Sequence, residues 1–406
     1  MRLSNLRKDF TIPSICGAIV AFVSLVFYAA LVQIVSIEMM AAFIGTTSLA
    51  AIVQIAVIPQ TWIYVFGTHD AKERTSRLSA SVVIEMCSAI GGLAVAAIVS
   101  WVSSYGTPLI FAYLALSLAG STSSQGYLRS KRHWGLYVTY VTLPSLIRVV
   151  IAAVSLFFNY CSIDSLQQLI VVYLLIPEII RFLAINIPIT LDAWNHINWQ
   201  QLQISYRHVL RNWMYDIGSA TTEVADKYIL SLIVSPSLLV IYFFVRKISS
   251  ATTIILEPFY ASKFKDLASI LDRPLSSSDL SRPLVTGYLV AAISCVLSLM
   301  AIKVLSFISL FQVEIIPSIV MSNIGIFSTC LFIDASIAAN RWGRHISLLN
   351  GQPGSLLIVR WLCFIIFVLV VMKLPAPSET ISLTVGFLLY AFLEFVYVVS
   401  RTCTFK

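Results

Sequence analysis

Charge is what this sequence has least of. Only 11% of its 406 residues are Asp, Glu, Lys or Arg, against 58% hydrophobic, and the mean hydropathy is +0.89. A soluble domain carries roughly a quarter charged residues, so a water-soluble fold is excluded. A CxxC pair is also missing. The seven cysteines are scattered and lie mostly within apolar runs. That argues against a disulfide framework or a metal site and reads them as small packing residues. There is no glycine-rich phosphate loop, which speaks against ATP hydrolysis, and no nucleophile–base motif. The chain reads as a non-enzyme with no cofactor or metal. The net charge of +8 does not indicate nucleic acid, because the basic residues sit in loops between apolar runs, where membrane topology places them.

What is present is a series of apolar runs of about twenty residues, the length of a membrane-spanning helix and too long for barrel strands. Ile12–Val35 is too long for a signal-peptide core and lacks a cleavage site, so it reads as a retained span. The pattern predicts twelve spans at about 12–34, 39–61, 79–101, 108–128, 136–158, 166–190, 211–233, 237–260, 284–309, 315–338, 354–374 and 379–400. Of the 27 Lys and Arg, 19 then fall on the side of the N-terminus, seven fall within spans, and only Lys373 lies on the opposite side. The positive-inside rule therefore puts both termini in the cytoplasm.

The outer connections are all short, such as Ser36–Glu38 and Val234–Pro236, and the longest inner ones are Leu191–Leu210 and Ala261–Pro283. The polar WNHINWQQLQISYRH within the first is either a helix along the inner interface or a plain linker. Spans 1–2 and 7–8 share a layout. A shift of 199 residues sets Pro59 on Pro258, Gln54 on Thr253, Thr47 on Arg246 and Glu38 on Ser237. Six spans restore the starting side, so the halves form a parallel repeat. The expected architecture is all-α and polytopic: residues 1–190 as one six-helix lobe, 191–210 as a cytoplasmic linker, 211–406 as a second lobe, and a cleft between the lobes.

Charges inside spans are costly, roughly 2.5–3.5 kcal/mol each on insertion scales, so they face protein or a wet cavity. On a helical wheel Asp216, Glu223 and Lys227 fall within about 40° of one another. Arg246, Ser250, Thr253 and Glu257 share a face of the next span, with Tyr242 near it. Arg148, Arg181 and Arg246 lie near the midplane, and their guanidinium forks suit phosphate. Glu178, three residues before Arg181, is placed for a structural ion pair. Arg148 has no charged neighbour in its own span and needs a partner across the cleft or an anionic ligand. Lys303 and Arg360 lie toward span ends, where long side chains snorkel. Glu85, Glu257, Asp334 and Glu394 sit toward inner ends as candidates for gating pairs, Asp334 with Arg341 or Arg344. Glu223 and Lys227 form either a structural lock or, with Asp216 and Asp226, a site for a coupling H+ or Na+. Pro144, Pro177 and Pro188 free backbone carbonyls inside spans 5 and 6, tolerable only where protein or a cavity answers them. Tyr137 shares a face with Arg148 and is a candidate for sugar stacking.

The stretch ADKYILSLIVSPSLLVIYFFVRKISSATTIILEPFY resembles the polysaccharide-transport family, the Wzx-type O-antigen flippases of the multidrug/oligosaccharidyl-lipid/polysaccharide exporter superfamily. Asp226, Lys227, Tyr242, Arg246 or Lys247, and Pro258 carry the match; Val240–Ile241 replace the family's glycine before the Tyr. The resemblance implies a flippase in a bacterial inner membrane, moving oligosaccharide on undecaprenyl pyrophosphate from the cytoplasmic to the periplasmic leaflet by alternating access. Polysaccharide polymerases are then candidate partners. The implied substrate site comprises Arg148, Arg181, Arg246, Lys247, Ser250 and Thr253. The implied coupling or gating set comprises Asp216, Glu223, Asp226, Lys227, Glu257 and Asp334. Two alternatives remain. A multidrug exporter of the same superfamily requires an acid-rich cavity. A polymerase or ligase acting on lipid-linked glycan requires a sizeable outer loop.

Overall fold

The computed structural model describes residues 3–59, 61, 65, 71–158, 163–268, 277–307, 318–343, 353–373 and 379–403, although not every side chain within them. Among the described residues every regular element is helical. The helices are α1 Leu3–Ile34, α2 Ile37–Val57, α3 Ala71–Val102, α4 Thr107–Ala119, α5 Ser123–Ser130, α6 Trp134–Phe158 and α7 Leu166–Trp194. They continue with α8 Trp199–Ile233, α9 Pro236–Ala268, α10 Ser277–Phe307, α11 Ser318–Ser322, α12 Ile324–Asn340, α13 Pro353–Lys373 and α14 Glu379–Cys403. A helix, or a pair of shorter ones, lies at each of the twelve expected positions. Among the described residues, seven helices are long and apolar enough to cross a membrane by length and composition.

Two expected spans are not single helices. The run 108–128 divides into α4 and α5 at Gly120–Thr122, and the run 315–338 divides into α11 and α12 at Asn323. Both breaks fall at residues that favour turns. Ser and Thr side chains compete with the helical ladder, and Asn tolerates non-helical backbone. A Cβ on Gly120 would lie 2.5 Å from the Gln54 amide nitrogen, so a larger residue there would push that side chain aside.

The prolines do the reverse of what a breaker usually does. Pro144 lies inside a continuous α6. α7 also runs unbroken through Pro177 and Pro188, absorbing them in two wider π-type turns, Val171–Leu175 and Phe182–Asn186. Such turns take up an extra residue without ending the helix.

Short connections are capped locally. The Ser36 hydroxyl accepts from the Met39 amide at 3.2 Å, and the Ser165 hydroxyl from the Gln168 amide at 3.3 Å. Gly106 adopts φ +56° ahead of Pro108, a conformation that only glycine takes without strain. The turn before α9 is tied to the start of α14, where the Ser235 amide donates to Glu379 at 2.8 Å.

The chain forms two compact units, Met1–Tyr228 and Ile229–Lys406. In the first, α1 packs along α6 and α2 along α4. Phe27, Leu31, Met40, Phe43, Ile44 and Tyr113 are fully buried, and Phe27 meets Tyr173 at 5.6 Å between ring centroids. In the second, α9 and α10 pack on α12, and α13 on α14. Tyr242 meets Phe387 edge-on at 5.5 Å. Residues 199–210 of the expected linker are the first turns of α8, and the division between the units falls near that helix's far end. Large apolar side chains such as Val150, Leu289 and Leu362 stay exposed. On a soluble protein they would form adhesive patches; on spans of this length they meet lipid.

Candidate functional site

The second unit holds the Arg246 seat. Its guanidinium pairs with Asp334 of α12, and the Ser249 hydroxyl donates to the other oxygen of the same carboxylate. The Asp334 side chain is 4% exposed and that of Arg246 17%, so the acid is sealed while the base is partly exposed. Helical spacing puts Ser250 and Thr253 on Arg246's side of α9, both half-buried. The Ser250 hydroxyl donates to the Lys247 carbonyl at 2.6 Å, and the Lys247 ammonium stands 5.5 Å from the centre of the Phe243 ring. Asp334, expected beside Arg341 or Arg344, thus pairs with Arg246, while Arg344 and Glu223 lie outside the described side chains. The reason is packing: α9 lies along α12, which brings together residues 88 apart in sequence.

A second charged pair lies deeper in this unit. The Arg360 Nε donates to Glu394 at 2.9 Å, with the two side chains 9% and 0% exposed. Arg360 is thus not a snorkelling side chain, and Glu394 is not a gate facing the inner loops, because α13 and α14 pack closely enough to bury both. Lys303, by contrast, is exposed. Near them, the Tyr288 hydroxyl donates to Asn340 at 2.5 Å, and Asn340 donates to the Ala391 carbonyl at 3.1 Å.

The first unit holds a longer network, organised by the α4–α5 break and by Pro177. Pro177 has no N–H to offer the carbonyl four residues earlier, Tyr173. The Arg148 Nε donates to that carbonyl at 3.1 Å, and its Nη2 donates to Glu178 at 2.7 Å. Arg181 stands on the other Glu178 oxygen at 3.0 Å. Arg148 thus finds its partner on the neighbouring span, and the expected Glu178–Arg181 pair is present. Arg181 goes on to donate to the Leu118 carbonyl at 2.5 Å and lies 4.5 Å over the Tyr140 ring. Leu118 ends α4, where a helix presents the negative end of its dipole.

The positive end of the break is answered by Glu85, a residue whose role was not legible in the sequence. One carboxylate oxygen accepts from the amides of Thr122 at 3.0 Å and Ser123 at 2.9 Å, and from the Thr61 hydroxyl. The other accepts from the hydroxyls of Ser123 at 2.7 Å and Ser121 at 3.2 Å. Glu85 is 5% exposed and serves as the cap that Thr122 does not supply for α5. It is not a gating partner of a loop arginine. The Tyr140 hydroxyl donates to the Ser121 carbonyl at 2.7 Å, and Asn186 donates to the Ser121 hydroxyl at 3.2 Å. Two arginines and two glutamates thus brace one interrupted helix. Gly-Ser-Thr-Ser-Ser was the legible part of the signal; its partners were not.

Other expected residues are placed as follows. The Lys227 ammonium stands 3.5 Å from Asp226, which also accepts from the Lys227 amide at 2.7 Å. Asp216, Glu223 and Glu257 lie outside the described side chains. Tyr137 is 3% exposed in a cluster with Cys16 and Tyr140, so it packs and does not offer a ring for stacking. Among the described residues no cluster of His, Cys, Asp and Glu is arranged to hold a metal.

No known family's sequence profile matches the chain, and no curated protein matches it by sequence. Solved structures do match. One is an inward-facing multidrug resistance MATE family transporter of the MOP superfamily, with 12% identity, 96% of this chain and 99% of that one covered, and a TM-score of 0.69. The eukaryotic MATE transporter AtDTX14 matches at 12% identity, 97% and 95% coverage and a TM-score of 0.60. A MATE protein in complex with MaL6 matches at 14%, 98% and 97%, with a TM-score of 0.59. Such identities establish fold. The protein is an all-α polytopic membrane protein with the fold of the MATE transporters, which belong to the MOP superfamily.

Proposed function

We propose that this protein is a membrane transporter, and that its cargo is an oligosaccharide carried on undecaprenyl pyrophosphate. It takes the cargo from the cytoplasmic to the periplasmic leaflet of a bacterial inner membrane, with both termini cytoplasmic. The fold supports the transporter reading. The Arg246 seat carries the substrate reading: a partly exposed guanidinium, held by a carboxylate and accompanied by Ser250 and Thr253. Asp334 accepts from the Arg246 Nη1, one of the donor positions that a phosphate oxygen uses. Asp334 thus holds the fork in place until an anionic head displaces it, and the hydroxyls of Ser250 and Thr253 donate to phosphate or sugar oxygens. Lys247 supplies a second cation one residue away. Arg148 and Arg181, both tied to Glu178, act by holding α6 and α7 together. Coupling to H+ or Na+ falls to the span 7 acids.

The second reading is export of organic cations, the reading suggested by the multidrug transporter of the same fold. Against it, Glu178, Asp334 and Glu394 each already face an arginine. One experiment separates the two. A strain lacking the gene is assayed for lipid-linked glycan held at the inner leaflet and for sensitivity to cationic drugs. Accumulation relieved by the restored gene supports the flippase; drug sensitivity alone supports the exporter.

A further inference from the structure

Two contacts set α9 and α14 side by side in the second unit. The Ser235 amide, just ahead of α9, donates to Glu379, the first residue of α14, at 2.8 Å. Two turns on, Tyr242 meets Phe387 edge-on at 5.5 Å between ring centroids. The next turn of each helix carries Arg246 and Tyr390. Arg246 lies eleven residues past Ser235 and Tyr390 eleven past Glu379, so both stand about 16 Å along from the first contact. The charges of Glu394, Arg360 and Arg246 all act on Tyr390, which puts it within reach of both ion pairs of this unit.

The Tyr390 hydroxyl is uncommitted. Tyr113, Tyr140, Tyr173, Tyr260 and Tyr288 each give theirs to a neighbouring acceptor. Among the described residues the Tyr390 hydroxyl has no such acceptor. Glu394, one turn further along α14, is turned to Arg360 instead. Lipid does not claim the ring either. Ile381, Val385, Leu388, Phe392 and Val396 form one exposed apolar stripe on α14, and Tyr390 lies about 160° around the helix from it. The residue is half-buried, so its open part faces the interior of the unit, where the partly exposed Arg246 guanidinium lies. A tyrosine hydroxyl away from water takes an acceptor wherever one is in reach. One left open beside guanidinium charge is set for an acceptor that arrives with a ligand, and the charge selects an anion.

We infer that Tyr390 is a further substrate-binding residue of the Arg246 seat, its hydroxyl donating to a phosphate oxygen of the anionic head. A phenol strengthens the hold on phosphate without adding a third cation beside Arg246 and Lys247. This rests on the function proposed above.

The test uses the full-length protein in detergent and farnesyl pyrophosphate as the probe. Titration calorimetry follows binding, and thermal melting follows folding. Tyr390→Phe removes the hydroxyl alone. It should melt as the wild type does, since no partner is lost. It should bind farnesyl pyrophosphate about tenfold more weakly, the effect of one hydrogen bond to a charged group. Farnesol, which has the chain and no anion, should bind both proteins equally. Tyr288→Phe, which removes a hydroxyl bound to Asn340, should do the reverse and lower the melting temperature at unchanged affinity. Wild-type affinity in Tyr390→Phe overturns the inference and leaves the proposed function standing. So does a lowered melting temperature in that variant, because the hydroxyl then has a structural partner, and so does an equal loss for farnesol. A tenfold loss in Tyr390→Phe beside wild-type affinity in Arg246→Ala overturns the Arg246 seat and keeps Tyr390 as a contact with the head. Inorganic pyrophosphate binding as tightly as the farnesyl compound, with the same loss in Tyr390→Phe, assigns the site to a free anion and overturns the lipid-linked cargo alone. Wild-type protein that binds farnesyl pyrophosphate no better than farnesol overturns both.

Discussion

Arg148 and Tyr173 meet at 3.1 Å because of a third residue that touches neither hydrogen: Pro177, whose missing N–H leaves the Tyr173 carbonyl open. A membrane helix that loses a ladder bond must find another donor, since no water is at hand. Here the donor is a guanidinium, and the same guanidinium is then in reach of Glu178. A proline thus recruits a charge, and the charge fixes the spacing of α6 and α7.

That chain of causes is open to a double-mutant cycle. Arg148→Leu should destabilise the protein in detergent by about 1–3 kcal/mol, the cost of a buried acceptor left without a donor. In a Pro177→Ala background the restored amide can serve Tyr173, and the same Arg148→Leu change should cost less. A coupling of about 0.5–3 kcal/mol is expected for residues that share a partner. Strict additivity in thermal melts would show that Arg148 does not serve the carbonyl.

Glu178 carries more weight than either arginine, because both depend on it. Glu178→Ala leaves two buried guanidinium groups without their carboxylate, and breaking such a pair costs roughly 3–5 kcal/mol. The expected outcome is poor expression, partly relieved when Arg181→Leu is added. Normal yield and melting of the single variant would remove the triad from the account.

Glu85 is expected to act as a cap. Glu85→Ala should raise amide exchange at Thr122 and Ser123 by at least about fivefold, since losing an N-cap acceptor costs about 1 kcal/mol or more. Exchange in α3 itself should barely change, and Glu85→Gln, which keeps an acceptor oxygen, should fall in between. Unchanged protection at those two amides would mean that the α4–α5 break is held by something else.

The sequence carried the skeleton of this structure because its strongest signals are one-dimensional. Apolar run length sets the spans, as α2, α6 and α14 show. It did not show the break at Asn323, where apolar residues continue on both sides, and it marked the one at Gly120–Thr122 only by turn-prone residues. Ion pairing was legible only within a helix: Glu178 precedes Arg181 by one turn. Arg148 and Glu178 are 30 residues apart, and Arg246 and Asp334 are 88 apart. A helical wheel fixes which face a residue takes and leaves open which helix lies opposite. For that reason the wheel alone points Asp334 to arginines near it in sequence and Glu394 to a span end, whereas neighbouring helices supply Arg246 to the one and Arg360 to the other.

The topology is testable without transport. A reporter fused after Lys265 should be active only on the cytoplasmic side, as should one at the C-terminus, and one inserted at Ser36 only on the periplasmic side. A periplasmic signal after Lys265 would overturn the orientation read from the basic residues.

Whether Arg246 meets the anionic head is the central claim, and transport by purified protein in proteoliposomes tests it most directly. The lipid-linked oligosaccharide is placed in one leaflet, and its arrival in the other is followed with a lectin or a glycosidase. A phosphate contact needs positive charge, so Arg246→Lys should retain part of the rate. Arg246→Ala should lose nearly all of it, at equal amounts of folded protein. Asp334→Asn should leave a folded protein with altered transport, because the neutral amide holds the fork less firmly against the incoming head. Full glycan movement by well-folded Arg246→Ala would contradict the account.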